Sequence, residues 1–161
     1  MSAKSVHKVF VYGTLKKGEP NHQWFTKTAG AHHKFLYNAQ TIEQFPLIIA
    51  TQFNIPFLLH APGKGHHVQG EVYEVDNQVL ADLDILEDHP RFYIREEYEV
   101  LNLGNNVTDK VWIYMMKTFK PELLNQTFFK SYSNNGDHGL KYVERYLRDP
   151  SANHKNQLFG E

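Results

Sequence analysis

The feature that most constrains the fold is a series of short runs rich in β-branched and aromatic residues, separated by Gly, Pro and Asn. Runs of this composition between turn-forming residues are typical of β-strands. The predicted strands are 8–12, 35–41, 47–50, 57–60, 68–75, 92–103 and 110–117. Turn residues at 62–65 and 104–106 have the composition of hairpin connections. The pattern therefore predicts an antiparallel sheet that curls into a small barrel.

One amphipathic helix interrupts this β-rich pattern. Asp76 suits the N-cap position, the run NQVLADLDILED follows it, and Pro90 predicts where the helix stops. A second helix is predicted at 139–148, and the polar tail from about 150 is predicted to be loose. Because the 161 residues contain no repeat and no linker between apolar blocks, we expect a single domain.

Composition argues against several classes of function. With a net charge of −1 and a pI near 6.8, the chain has no general attraction for nucleic acid or anionic membranes. It has no cysteine, which excludes disulfides, thiolate catalysis and sulfur-bound zinc. No segment resembles a signal peptide or approaches the roughly 20 apolar residues of a membrane span. We therefore expect a cytoplasmic protein without an obligate protein partner.

One carboxylate lies on the apolar side of the predicted helix. With roughly 100° per residue, the apolar stripe of this helix consists of Val79, Leu80, Leu83 and Leu86. Glu87 falls inside the stripe, whereas Asp84 and Asp88 fall outside it, as expected of solvated carboxylates. Burial and the helix dipole both raise the pKa of such a group, so Glu87 is a candidate general acid/base. Alternatively, the helix frays before Glu87 and its carboxylate reaches water or pairs with Arg91 or Arg95.

The turn behind the first predicted strand is a candidate anion site. It consists of Tyr12, Gly13, Thr14 and Leu15. Glycine permits unusual backbone dihedral angles, and consecutive N–H groups in such a turn converge on one anion, for example a carboxylate. An ordinary turn at the end of a strand has the same composition, and this alternative stays open.

The ten histidines do not form a recognisable metal motif. The candidates are the adjacent pairs His32-His33 and His66-His67, together with His138. Adjacent residues of a strand point to opposite faces, and no histidine pair at i, i+4 backed by a carboxylate occurs on a predicted helix. We therefore predict no metal site.

Several segments, taken in order, resemble the γ-glutamylcyclotransferase superfamily, and most closely its γ-glutamylamine branch. They are VFVYGTLKKGEPNH (9–22), FPLIIA (45–50), NIPFLL (54–59), PGKGHHVQGEVYEVD (62–76), LDILEDHPRFYIR (83–95) and SYSNNGDHGLKY (131–142). The resemblance implies an α+β fold, a small mixed, mainly antiparallel β-barrel with flanking helices. It also implies that the enzyme needs no cofactor.

The resemblance further implies a reaction and its residues. In this family the α-amine of a γ-glutamyl group attacks its own γ-carbonyl, which gives 5-oxoproline and a free amine. In the γ-glutamylamine branch the amine is typically lysine, released from the γ-glutamyl-ε-lysine of degraded transglutaminase cross-links. The acid/base glutamate of the family falls on Glu87, and its substrate-binding loop falls on Tyr12, Gly13, Thr14 and Leu15. Tyr93 and Tyr132 lie in matching segments, and two alternatives stay open for them: they line the pocket, or they belong to the aromatic core with a hydroxyl at the surface.

Two other functions fit the same resemblance. One is cleavage of γ-glutamyl-amino acids or glutathione-like compounds, although that branch has a Tyr-Gly-Ser-Asn loop where this chain has Tyr-Gly-Thr-Leu. The other is a catalytically idle binding module, which would have no reason to retain Glu87 and the turn at Gly13. The chain departs from its relatives at Phe57, where Trp is usual, and in SNNGDHG, where DSEGPHG is usual.

Overall fold

A computed structural model of the protein describes residues 5–143. In this range the chain forms seven strands and one α-helix. They are β1 (Val6–Val11), β2 (His33–Phe45), β3 (Leu47–Ala50), β4 (Ile55–Leu58), β5 (His66–Asp76), α1 (Asn77–Leu86), β6 (Ile94–Asn102) and β7 (Thr108–Met115). Two short 3-10 helices, His22–Thr26 and Pro121–Asn125, were not predicted.

Five of the strands close into a barrel in the order β1-β5-β2-β6-β7. All neighbours are antiparallel except β1 and β7, which are parallel, with Val9 opposite Trp112. The predicted mixed, mainly antiparallel barrel is therefore confirmed. Strands β3 and β4 form a separate two-stranded sheet, which a parallel bridge between Leu59 and Met116 joins to the end of β7.

The second half of β1, Val9–Val11, is buried on both faces, and its consecutive side chains point in opposite directions. Val9 and Val11 belong to the core cluster that includes the helix residues Val79 and Leu83, whereas Phe10 belongs to a second cluster on the opposite face. Since α1 packs on the outside, the second cluster fills the barrel. A Cβ atom at Gly70 would lie 2.6 Å from the Phe10 ring, so glycine there makes room for Phe10.

Helix α1 begins where the sequence predicts and ends one residue before Glu87. The Asp76 carboxylate accepts a hydrogen bond from the Val79 backbone N–H at 2.9 Å, which is N-cap geometry. Glu87 is the C-cap, and Asp88 follows with a φ of 50°, in the left-handed region that ends a helix. The helix therefore stops before Pro90, as predicted, but it ends at Leu86, two residues earlier than the predicted run.

Two further predictions differ from the structure. The turn at 62–65 links the two-stranded sheet to β5 and does not close a hairpin, whereas 104–106 does join the paired strands β6 and β7. Residues 139–143 are not helical, and the rest of the predicted second helix and the tail from about 150 lie outside the described residues. No helix in the described range is long and apolar enough to cross a membrane.

Candidate active site

A cavity of about 300 Å³ lies where the loop after β1, strand β4 and the end of α1 meet. Its wall includes the predicted acid/base and the predicted substrate-binding loop, namely Glu87, Tyr12, Gly13, Thr14 and Leu15. The structure thus brings together a loop and a helix end that are more than seventy residues apart in the sequence. Their roles in binding and catalysis stay predictions.

The loop after β1 is folded so that its carbonyl groups are occupied. The carbonyl of Gly13 accepts from the N–H of Lys16 at 3.1 Å, and the carbonyl of Thr14 accepts from the N–H of Asn21 at 2.8 Å. The Leu15 carbonyl accepts from His22 Nδ1 at 2.9 Å. Within residues 5–143, the N–H groups of 13–15 donate to no protein acceptor. The loop therefore offers backbone donors beside the cavity, as an anion-binding nest does.

Gly13 lies against Pro56 of β4, which also lines the cavity. A Cβ atom at Gly13 would lie 2.9 Å from Pro56 Cγ, closer than such atoms normally approach. Glycine therefore lets the loop and β4 come together here, which fixes the width of the cavity at this point.

Asn21 is a buried polar residue that braces the loop. Its Nδ2 donates to Thr14 Oγ1 at 2.9 Å and to the Tyr142 hydroxyl at 3.2 Å, and both Asn21 and Tyr142 line the cavity. Because Thr14 Oγ1 accepts from Asn21, the Thr14 hydroxyl keeps its own proton for donation to another acceptor. Neither Asn21 nor Tyr142 was predicted as a site residue, although both lie in segments that resemble the family.

Glu87 lies partly buried at the C-terminus of α1, with its N–H donating to the Leu83 carbonyl at 2.9 Å. Burial raises the pKa of Tyr12 well above its ordinary value, and the nearby charge of Glu87 raises it further. The two arginines that the sequence offered as partners bind other carboxylates. Arg91 pairs with Asp88 at 2.8 Å, and Arg95 pairs with Asp84 at 2.7 Å.

The prediction that the Asp84 carboxylate faces solvent is wrong. Asp84 accepts several hydrogen bonds in a network behind the cavity. Arg95 donates to it through Nε at 2.7 Å and Nη2 at 3.0 Å, and the Tyr114 hydroxyl donates to it at 2.6 Å. Burial alone raises the pKa of Asp84, but the hydrogen bonds from Arg95 and Tyr114 outweigh it and lower the pKa. Arg95 also lies over the Trp112 ring, 4.6 Å from its centre. Asp84 is therefore held as an anion.

The apolar wall of the cavity is aromatic. Phe57 and Tyr93 stack with ring centres 6.0 Å apart, and both line the cavity together with Phe92. Tyr93 thus fits the pocket alternative. For Tyr132 the structure favours the core alternative, because Tyr132 is buried in the cluster that fills the barrel and is not among the described residues of the cavity wall.

The donors and the carboxylate suit an amino-acid group. The loop can hold an anion through its N–H groups, while Glu87 can exchange a proton with a group bound beside it. In the part of the chain that the structure describes, no group of three or more His, Asp or Glu side chains is arranged to hold a metal ion.

Comparison with known families gives this arrangement a context. The family model described as gamma-glutamyl cyclotransferase, AIG2-like, matches residues 9–134. The chain belongs to this family. The match includes the loop after β1 and Glu87, and it confirms the resemblance that the sequence segments indicated.

Individual members of the family are similar over most of their length. A putative gamma-glutamylcyclotransferase of Drosophila melanogaster is 46% identical over 145 residues, which is 90% of this chain and 90% of that protein. Gamma-glutamylaminecyclotransferase C of Danio rerio is 45% identical over 146 residues, covering 88% and 95% of the two chains. The crystal structure of an AIG2-like protein of Mus musculus superposes with a TM-score of 0.84 at 42% identity, covering 89% and 99%.

Proposed function

We propose that the protein is a cytoplasmic γ-glutamylamine cyclotransferase that converts γ-glutamylamines, such as γ-glutamyl-ε-lysine, to 5-oxoproline and free amine without a cofactor. One observation carries the proposal: the N–H donors at 13–15 and the Glu87 carboxylate line the same cavity in a chain of this family. Relatives more than 40% identical over most of the chain are named gamma-glutamylaminecyclotransferase, which supports the choice of substrate class.

In the proposed complex the α-carboxylate of the γ-glutamyl group binds to the N–H groups of 13–15 and the Thr14 hydroxyl. Held by this end, the glutamyl chain folds so that its α-amine approaches its γ-carbonyl carbon. Positioning of two groups of one molecule in this way supplies several kcal/mol of the lowering of the barrier, on the order of 7 or more in favourable cases. The leaving amine then lies toward the open side of the cavity.

Glu87 is the proposed general acid/base. The α-ammonium is not a nucleophile, so Glu87 first accepts a proton from it. The α-amine nitrogen then bonds to the γ-carbonyl carbon, and the bond from that carbon to the amide nitrogen breaks. Protons that leave the attacking nitrogen reach the departing amine through Glu87, so the lactam nitrogen keeps one hydrogen and the amine leaves as an ammonium. The step consumes no water.

A second candidate is cleavage of γ-glutamyl-amino acids or glutathione-like compounds by the same chemistry. The name of the Drosophila melanogaster relative, a putative gamma-glutamylcyclotransferase, favours it. The two candidates differ only in the group that leaves, and therefore in the contacts at the mouth of the cavity. A catalytically idle binding module is the remaining alternative.

The decisive experiment is a direct assay of the purified protein with γ-glutamyl-ε-lysine, γ-glutamyl-alanine and glutathione. We expect 5-oxoproline and lysine in equal amounts from the first substrate, and much slower release from the other two. Preferred turnover of γ-glutamyl-alanine or glutathione would favour the second candidate. Absence of 5-oxoproline with all three substrates would refute both enzyme functions. Addition of a chelator is expected to leave the rate unchanged, since no metal takes part in the proposed steps.

A further inference from the structure

Two tyrosines that line the cavity use their hydroxyl protons in hydrogen bonds to other groups of the protein. Tyr12 donates to the backbone carbonyl of Tyr114 at 2.7 Å, and the Tyr114 hydroxyl donates to Asp84 Oδ1 at 2.6 Å. A tyrosine hydroxyl has one proton, so what each oxygen still offers is acceptor capacity. Both residues line the cavity, as Glu87 does. A backbone hydrogen bond with Leu58 already engages the Tyr12 oxygen, so the acceptor capacity on this side of the cavity lies with Tyr114, whereas the loop at 13–15 has N–H donors.

The direction of the Tyr114 hydrogen bond is fixed by its partner. Asp84 accepts two hydrogen bonds from the Arg95 guanidinium, which holds it ionised, and an ionised carboxylate cannot donate. Burial, the hydrogen bond to Asp84 and the charges of Asp84 and Glu87 raise the pKa of Tyr114. They outweigh the nearby Arg95 guanidinium, which lowers this pKa, so the hydroxyl keeps its proton. Tyr114 is buried in the core, and its ring packs beside His89 with centres 6.3 Å apart.

We propose that the Tyr114 hydroxyl oxygen accepts a hydrogen bond from the α-ammonium of the bound γ-glutamyl group, beside Glu87, an inference that rests on the proposed function. An ammonium has three N–H donors and no acceptor, so it suits a wall of acceptor oxygens. After Glu87 has removed one proton, the hydrogen bond to Tyr114 directs one remaining N–H away from the carbonyl. The nitrogen lone pair is thereby oriented toward the γ-carbonyl carbon.

This arrangement distinguishes the two ends of the amino-acid group. The α-carboxylate meets the donors at 13–15, and the α-ammonium meets Tyr114 and Glu87. Tyr114 touches the substrate and is a catalytic residue in this scheme. Asp84 and Arg95 act through Tyr114 and are positioning residues, because Asp84 accepts the hydrogen bond of the Tyr114 hydroxyl and Arg95 holds Asp84 in place as an anion.

The test compares two ligands in a protein that binds but does not turn over. In Glu87→Gln, the Kd values of γ-glutamyl-ε-lysine and of its desamino analogue, which has hydrogen in place of the α-ammonium, are measured by calorimetry. We expect γ-glutamyl-ε-lysine to bind about tenfold more tightly. Adding Tyr114→Phe is expected to weaken γ-glutamyl-ε-lysine about tenfold and to leave the desamino analogue unchanged.

Tyr37→Phe is the matched control. Tyr37 also donates its hydroxyl proton to an aspartate, Asp109, at 2.5 Å, but neither residue belongs to the cavity wall. This change is expected to alter neither Kd. Equal weakening of both ligands by Tyr114→Phe, or weakening of neither, would overturn the inference.

If the variant with Tyr114→Phe does not fold, the two Kd values of Glu87→Gln alone still test the inference. Equal affinity for the two ligands while Tyr114 is present would already overturn the inference. Turnover by the wild-type protein is assayed in parallel. Formation of 5-oxoproline without the expected selectivity refutes only the role of Tyr114, whereas absence of 5-oxoproline refutes the proposed function.

Discussion

The C-terminal part of α1 carries two carboxylates, Asp84 and Glu87, in opposite surroundings. Asp84 lies behind the cavity wall, where Arg95 binds it through two hydrogen bonds and the Tyr114 hydroxyl through a third. Glu87 lines the cavity itself, together with the loop at 13–15 and the aromatic wall. A carboxylate bound to an arginine stays ionised and supports structure, whereas a carboxylate at a cavity beside a substrate can exchange protons. The three-residue step between them separates a structural role from the proposed catalytic one.

The largest effect on activity is expected when the proposed general base, Glu87, is removed. Glu87→Gln keeps the size of the side chain and abolishes proton exchange, so we expect kcat to fall about 1000-fold, within the range of general acid/base contributions. The measurement is release of 5-oxoproline from γ-glutamyl-ε-lysine, with the melting temperature as a check on folding. Retention of more than a tenth of the activity would mean that the acid/base has been assigned to the wrong residue.

A smaller loss of activity is expected when the loop at 13–15 is pushed away from strand β4. Gly13→Ala places a methyl group where Pro56 Cγ would lie 2.9 Å away, so the loop must shift and its donors move with it. We expect kcat/KM to fall about 10- to 100-fold, the scale of a misplacement of about an ångström. The double variant Gly13→Ala/Pro56→Ala removes the contact and should recover part of the loss. An unchanged kcat/KM in Gly13→Ala would remove the loop from the site.

Removal of the structural carboxylate is expected to act on stability. Asp84→Asn leaves Arg95 without a charged partner, and we expect the free energy of unfolding to fall by about 1–3 kcal/mol at neutral pH. Because its pKa in the folded protein lies below the ordinary value of 3.8, Asp84 stabilises the fold above that pH. This contribution disappears as the pH falls through the folded-state pKa. The difference between the wild-type protein and Asp84→Asn should therefore shrink in acid, as urea unfolding at several pH values would measure.

Asp109→Asn is the matched control for Asp84→Asn. Asp109 binds Lys8 at 2.8 Å and the Tyr37 hydroxyl at 2.5 Å, and none of these three residues is among the described residues of the cavity wall. This variant should also lose stability, but KM for γ-glutamyl-ε-lysine should change only in Asp84→Asn. The same change in KM for both variants would assign Asp84 a purely structural role.

The smallest effect is expected at the exposed ion pair. Arg91 binds Asp88 at 2.8 Å, but its side chain is 84% exposed. Exposed pairs contribute little because water screens the charges, so Arg91→Ala should change the free energy of unfolding by less than about 0.5 kcal/mol. A decrease of more than about 1 kcal/mol in the free energy of unfolding, measured with urea, would contradict this. Side-chain exposure would then not explain why the ion pair of Asp84 stabilises the fold more than that of Asp88.

The strands were predictable because their residues carry a local signal. Each predicted strand has a counterpart in the structure, and β3 agrees to the residue. Closure of the barrel was expected only in outline, because the parallel pairing of β1 with β7 depends on the register between distant segments. The resemblance placed Glu87 and the loop at 13–15 in one site, which periodicity alone could not do.

The residues whose roles the sequence did not predict owe those roles to tertiary contacts. Asp84 resembles a solvated residue on a helical wheel, and only the tertiary fold brings Arg95 of β6 and Tyr114 of β7 to it. Asn21 follows a turn that has no regular period, so nothing in the local pattern indicates that it binds Thr14. Hydrogen bonds of this kind join residues that are unrelated in sequence position, and local patterns do not encode them.

The hydrogen bond from Tyr12 to the Tyr114 carbonyl has a consequence for synthesis on the ribosome. A nascent chain that has emerged only through α1 already contains the loop at 13–15 and Glu87, the two proposed functional parts. It lacks β7, so Tyr12 has no carbonyl to bind and the barrel is open. Enzymatic competence should therefore arise late and abruptly, when β7 leaves the exit tunnel. Turnover by stalled chains of increasing length would then report the moment at which the barrel closes.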